Sequence, residues 1–126
     1  MAEAPPRGML CSGNIVFDLL VHPVDQLRWG TSTWVETIRQ SMGGNGANTS
    51  YALARLGVPT RLVSEAGRDS FGDCIVAQLE HAGVDTGWVR RPPGATAITI
   101  VLVRSDGDRL LLHKPGVNAD AFAAPL

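Results

Sequence analysis

Lysine is nearly missing from this chain: Lys114 is the only one, and ten arginines supply the other positive charges. The eleven basic residues meet twelve acidic ones, for a net charge of −1. A surface for nucleic acid or for an anionic membrane needs clustered positive charge. The only adjacent basic pair is Arg90-Arg91, so both partner classes are set aside. Cysteine is scarce too. Cys11 and Cys74 share no CxxC or Cys/His spacing, which excludes a disulfide or metal framework and suits a reducing cytoplasm. Long apolar runs are absent. The longest run of large apolar residues, Ile100–Val103, falls far short of the roughly 20 residues a membrane helix needs. The start, Met1 to Arg7, has no apolar stretch behind a basic end, so no secretory signal is expected.

What is present suffices for one domain. The 126 residues are 44% hydrophobic and 18% charged, a composition that buries a core rather than staying disordered. Met9 to Val21 is rich in large apolar and β-branched residues and stops before Pro23, which predicts one buried strand, interrupted at Ser12-Gly13-Asn14. Alternation places Ile15, Phe17, Leu19 and Val21 on one face and Val16, Asp18 and Leu20 on the other. Arg28 to Met42 carries two signals. Trp34, Ile38 and Met42 recur every four residues, whereas Thr31, Thr33, Val35 and Thr37 favour a strand; the expectation is strand.

Gly43 to Gly46 is the strongest break, and a helix should follow it. Ala47, Tyr51 and Ala54 fall at helical spacing, and Gly57 with Pro59 ends the element. Thr60 to Ala66 reads as a strand. Asp69-Ser70 opens a second helix, with Ser70 and Asp73 at capping-box spacing. Its apolar stripe is Phe71, Ile75, Leu79 and Ala82, and Gly83 stops it. Leu56-Gly57-Val58-Pro59-Thr60 is echoed by Ala82-Gly83-Val84-Asp85-Thr86. Two successive αβ units predict an α/β layer with parallel strands. Thr96–Val103 and Arg109–His113 then flank Asp106-Gly107, a strong hairpin-turn signal. Pro115 to Asp120 is a loop in which Asn118 or Asp120 would cap a further helix.

Two elements could carry chemistry. Asp18 lies within an apolar run, where an unpaired carboxylate costs several kcal/mol or shifts its pKa upward. A carboxylate only accepts hydrogen bonds, so it suits the hydroxyls of a polyol; the alternative is a strand that leaves the core near residue 18. Gly43-Gly44-Asn45-Gly46-Ala47-Asn48-Thr49 allows close main-chain approach, and N–H groups at the following helix start favour oxygen-rich ligands. It lacks the Lys-Ser/Thr ending of a phosphate loop and the third small residue of a dinucleotide fingerprint; the alternative is a tight turn with Asn capping the helix. Neither His22, His81 nor His113 pairs with an obvious acid. Cys11 and Cys74 read as buried filler, and Trp29, Trp34 and Trp88 as packing or interface residues.

The order of these pieces resembles the ribokinase-like, PfkB-type carbohydrate kinases. The likeness runs from the strand Gly13-Asn14-Ile15-Val16-Phe17-Asp18 through Gly43-Gly44-Asn45-Gly46-Ala47-Asn48 and Gly67-Arg68-Asp69-Ser70-Phe71-Gly72. It continues through Ala82-Gly83-Val84, the Asp-Gly hairpin and Pro115-Gly116-Val117-Asn118-Ala119. The resemblance implies the N-terminal half of a three-layer α/β sandwich over residues 1–126, with a small β-sheet lid built from about 22–42 and 96–114. Asp18 would bind sugar hydroxyls. Gly43-Gly44 would be the lid hinge, and Gly44, Asn45, Gly46 and Asn48 would contact the sugar. Val16 stands where ribokinase-type members often carry Asn, which removes one polar contact. The implied reaction is phosphoryl transfer from ATP, with Mg²⁺, to a sugar hydroxyl. The family's anion hole, catalytic Asp and most of its ATP site lie in its second half, so the segment should bind neither ATP nor Mg²⁺ and be inactive alone. A homodimer through the lid, a non-catalytic sugar-binding or lid-mediated interaction module, and a nucleotide-binding α/β domain are the other expectations to test.

Overall fold

The computed structural model describes residues 7–123. Its first sheet is parallel, with β1 (Met9–Ser12), β4 (Thr60–Glu65) and β5 (Val84–Arg90) in the order β1-β4-β5. Helix α1 (Asn45–Arg55) precedes β4, and α2 (Ser70–His81) connects β4 to β5. Successive crossovers step in one direction across the sheet, and right-handed connection then puts both helices on the same face. The core lies there. Cys11, Leu62 and Val84 from the sheet meet Ala47 of α1 and Ile75 and Leu79 of α2. Gly57 and Gly83, both at positive φ, end the two helices as the repeat predicts. The sheet's other face carries no helix among the described residues and leaves Leu10 and Trp88 half exposed. Two of the expected three layers are therefore seen.

A second sheet stands beside the first. It contains β2 (Val16–His22), β3 (Thr37–Gly43), β6 (Ile98–Val103) and β7 (Arg109–Lys114), in the order β3-β2-β6-β7. β2 pairs parallel with β6 and antiparallel with β3, and β6-β7 is the expected hairpin, with Gly107 at positive φ in its turn.

Several expectations need correction here. Met9 to Val21 is not one strand but two, in different sheets. The switch is built at Gly13, whose N–H donates to the Val63 carbonyl and whose carbonyl accepts from the Ser64 hydroxyl at 2.6 Å. A Cβ at Gly13 or at Gly46 would collide with the other residue's backbone, so the two glycines let the turn press against α1. The strand bearing Asp18 thus belongs to the second sheet, which begins at Val16, ahead of the segment 22–42. Arg28 to Met42 is strand only from Thr37. β3 pairs with β2 from Val16↔Gly43 to His22↔Thr37, and Pro23 ends that partner. The stretch before Thr37 is irregular, and Trp29 and Trp34 stand in solvent rather than packing. Helix α2 is capped by Asp69, whose carboxylate accepts from Gly72 N–H at 2.9 Å; Ser70 is not the cap, and Asp73 pairs with Arg91. A short 3₁₀ turn, Gly116–Ala119, follows β7, and the Asn118 amide donates to the Ile15 carbonyl at 2.8 Å. Any helix beyond it would extend outside the described residues.

Candidate functional site

Asp18 sits at mid-strand on β2, and its row crosses the whole second sheet. Ser41 is its partner on β3, Thr99 its partner on β6, and His113 is in turn the partner of Thr99 on β7. Alternation puts Leu20, Val101 and Leu111 one step along the same face. That face forms one wall of a cleft of about 550 Å³, whose lining also includes Gly44 and Asn48 at the start of α1. A volume of this size takes a small molecule. The wall pairs an apolar pad with a few polar groups, as suits a polyol that offers both C–H faces and hydroxyls.

Partial burial is the largest influence on Asp18 and raises its carboxyl above the usual range. Hydrogen bonding from Thr99 and the charge of His113 pull the other way without reversing it. Thr99 is buried, and its hydroxyl lies 2.9 Å from Nδ1 of His113. The carboxylate can occupy its place only because residue 43 is glycine: a Cβ there would overlap the carboxylate oxygens. Gly44 has φ +88°, and a Cβ on it would strike the backbone of Asn14 and Ile15.

The Gly-rich element is divided in two by this geometry. Asp18, Gly44 and Asn48 line the cleft, and the Asn48 side chain is exposed to it. Gly43 lies against Asp18. Asn45 and Gly46 face the β1–β2 turn instead. Asn45 Oδ1 accepts from Asn14 N–H and from Gly46 N–H, each at 2.8 Å, and the Asn14 carbonyl accepts from Ala47 N–H. The start of α1 is therefore not the open array of N–H groups expected of it, because the Gly13-Asn14 turn and the Asn45 amide already satisfy two of its first donors. Ser41 and His113 are not singled out for a role by the sequence, whereas Thr99 falls in the strand Thr96 to Ile100 that the family resemblance expects to supply lid contacts. A signal existed: a turn centred on Asp106 sets the hairpin register and puts residue 113 opposite residue 99.

Behind the cleft, Asp69 joins the body to the start of β6. Its carboxylate accepts from Thr96 N–H at 2.8 Å and from the Thr96 hydroxyl at 2.6 Å while it caps α2. Burial disfavours its charge, but the bonds from Thr96 and Gly72 and the nearby Arg91 outweigh that and hold the carboxyl below its ordinary value.

The model of the pfkB family carbohydrate kinases matches residues 9–126. The chain belongs to that family. Among relatives it is 37% identical over 112 residues to the ATP-dependent ribose-1-phosphate kinase of Halopiger xanaduensis, covering 87% of this chain and 38% of the relative. It is 28% identical over 118 residues to the ribokinase of Bacillus subtilis, covering 94% and 40%. Among solved structures, the fructokinase of Xylella fastidiosa superposes with TM-score 0.70 at 31% identity, covering 86% of this chain and 34% of that one. The ribokinase of Cryptococcus neoformans in complex with ADP gives 0.72 at 27%, with the same coverage of both chains. The fold is thus the ribokinase-like fold, and the pfkB family chain described here spans about two fifths of the length of the curated relatives it matches.

Proposed function

We propose that this chain is the sugar-holding part of an ATP-dependent carbohydrate kinase. The observation that carries the reading is the Asp18 carboxylate, set against Gly43 on the wall of a cleft that Gly44 and Asn48 also line. On this reading Asp18 accepts hydrogen bonds from two sugar hydroxyls, and the Asn48 amide supplies a further contact. The pad of Leu20, Val101 and Leu111 packs on the sugar's apolar face. The second sheet acts as the lid, pivoting where β3 meets Gly43-Gly44 and where β6 leaves Thr96. Closure excludes water from the acceptor hydroxyl, which protects phosphoryl transfer from hydrolysis.

Transfer from ATP would make a bond from the sugar oxygen to the γ-phosphorus and break the bond to the β-phosphate oxygen, with loss of the hydroxyl proton. The described residues hold no cluster of three His, Cys, Asp or Glu side chains fit for a cation, and no phosphate loop. On this reading the residues that hold ATP and Mg²⁺ are not among the described ones. A second reading is a sugar-binding module that associates through its lid. The lid's outer face exposes Ile38, Leu110 and Leu112, which suits pairing with a second copy. The free thiols of Cys11 and Cys74 suit a cytoplasmic setting, and no helix among the described residues is long and apolar enough to cross a membrane.

Calorimetric titration with D-ribose, D-fructose and ribose 1-phosphate tests the reading. Binding of one of them that Asp18→Asn weakens about tenfold or more is the expected result. Affinity for one of these ligands that is unchanged in the variant removes Asp18 from the site.

A further inference from the structure

We propose that the sugar held in the cleft already carries a phosphate group, which Arg109 and Arg39 of the lid receive. The inference rests on the reading of the cleft as a sugar site. It narrows that reading to one class of substrate, phosphate monoesters of sugars rather than free sugars.

One face of the second sheet carries an unbalanced set of charges. Asp18 is the only acid within its four strands. Alternation sets Arg39, Arg109, His22 and His113 on the same face as Asp18, and Lys114 on the other. The apolar pad lies between the two arginines: Arg39 is the β3 partner of Leu20, and Arg109 stands one step beyond Leu111 on β7. Arg109 lines the cleft together with Asp18, Leu20, Val101 and Leu111. Arg61, Arg90, Arg91 and Arg104 each meet a carboxylate. Arg39 and Arg109 are exposed, and among the described residues neither forms an ion pair or a side-chain hydrogen bond. A guanidinium has five N–H donors and accepts nothing. A free sugar on the pad offers hydroxyls to Asp18 and Asn48 but no charge to the arginines. A phosphate monoester adds nearly two negative charges and three acceptor oxygens, and a guanidinium on each side of the pad answers both. Successive rows on one face lie about 7 Å apart along the strands. Arg39 is one row from Asp18 and Arg109 two, so the phosphate sits away from the like charge of Asp18 while the hydroxyls reach it. Closure of the lid removes water from the arginine–phosphate pairs and strengthens them.

Paired calorimetric titrations of the 126-residue chain at low ionic strength test this. D-ribose is compared with ribose 1-phosphate and ribose 5-phosphate, and D-fructose with fructose 1-phosphate and fructose 6-phosphate. One ester should bind at least about tenfold more tightly than its free sugar, and added salt should shrink that gap. Arg109→Gln and Arg39→Gln should each cut the ester's advantage about tenfold, with Tm little changed because both side chains are exposed. Esters that bind no better than their free sugars overturn the proposal, as does an advantage that both variants leave intact. D-gluconate and ATP probe other anions, and either one binding with a greater arginine dependence than every ester also overturns it. Asp18→Asn separates this inference from the reading beneath it. If an ester keeps its arginine-dependent affinity in that variant, phosphate recognition stands and the role of Asp18 in holding the sugar fails. If free sugars need Asp18 and the esters gain nothing, the sugar-holding reading stands and phosphate recognition fails. Binding by none of the probes overturns both.

Discussion

A carboxylate half withdrawn from water, with an apolar pad beside it, is poorly solvated until something binds it. That is the physical situation of Asp18, and it separates binding from stability. The folded carboxyl titrates above its ordinary value of 3.8, so the folded state holds its proton more tightly than the unfolded chain. The cost of the buried charge is fully present above the folded midpoint and is gone below about 3.8. Asp18→Asn should therefore melt at or above the unsubstituted chain at pH 7, with the advantage shrinking as the pH falls toward 3. The same variant should bind sugar about ten- to a hundredfold more weakly, the loss of one charged hydrogen-bond pair. Calorimetric unfolding across pH, paired with sugar titration, reads both. Gly43 offers the converse check. A methyl there meets the mobile end of the Asp18 side chain rather than backbone, so Gly43→Ala should displace the carboxylate at little cost in stability. Sugar affinity falling about tenfold with a nearly unchanged Tm is the expected outcome.

Elements meet in this fold through a few short connections. Gly44 is the tightest of them. At φ +88° and against the backbone of Asn14 and Ile15, it admits no side chain without strain or movement of the β1–β2 turn. Gly44→Ala should cost more than about 1 kcal/mol, visible as a Tm fall of about 4 °C or more. The sugar-free fold is thus not expected to be indifferent to this change, whatever hinge motion residue 44 also permits. Asp69 is the second connection, tying α2 to the start of β6. Its depressed pKa means that its contribution is complete above about 3.8 and is lost as the pH falls through the lower folded value. Asp69→Ala should destabilise the chain by about 1–2 kcal/mol at pH 7. The gap from the unsubstituted chain should narrow in strong acid, as measured by denaturant unfolding at several pH values.

For the whole molecule, the chemistry divides unevenly. On the proposed reading the cleft holds the sugar, and no cluster of three His, Cys, Asp or Glu side chains stands ready for a cation among the described residues. The 126-residue chain, purified and mixed with ATP, Mg²⁺ and a panel of sugars, should release no sugar-dependent ADP in a coupled assay. Turnover that survives repurification would show that the chain binds ATP and transfers phosphate by itself. The same division shapes the family match. The sequence motifs run almost from end to end of the chain, while coverage of the relatives stays near two fifths.

By itself the sequence determined whatever depends on neighbours along the chain. Gly57 and Gly83 had to stop helices because left-handed φ follows from the missing Cβ. Asp106-Gly107 had to turn a hairpin, and the αβ repeat had to give parallel strands. Asp18 stood out because a charge in an apolar run is costly wherever it lies. Only the tertiary structure decided that Met9 to Val21 splits between two sheets. That split depends on Gly13 and Gly46 touching across 33 residues, and local pattern carries no such contact. It likewise decided that Asn45 spends its amide oxygen on the Asn14 turn, and that Thr99 and His113, unremarkable in sequence, share a row of the second sheet with Asp18. Strand order and register bring such residues together, and these are settled by the packing of the whole chain rather than by any window of it.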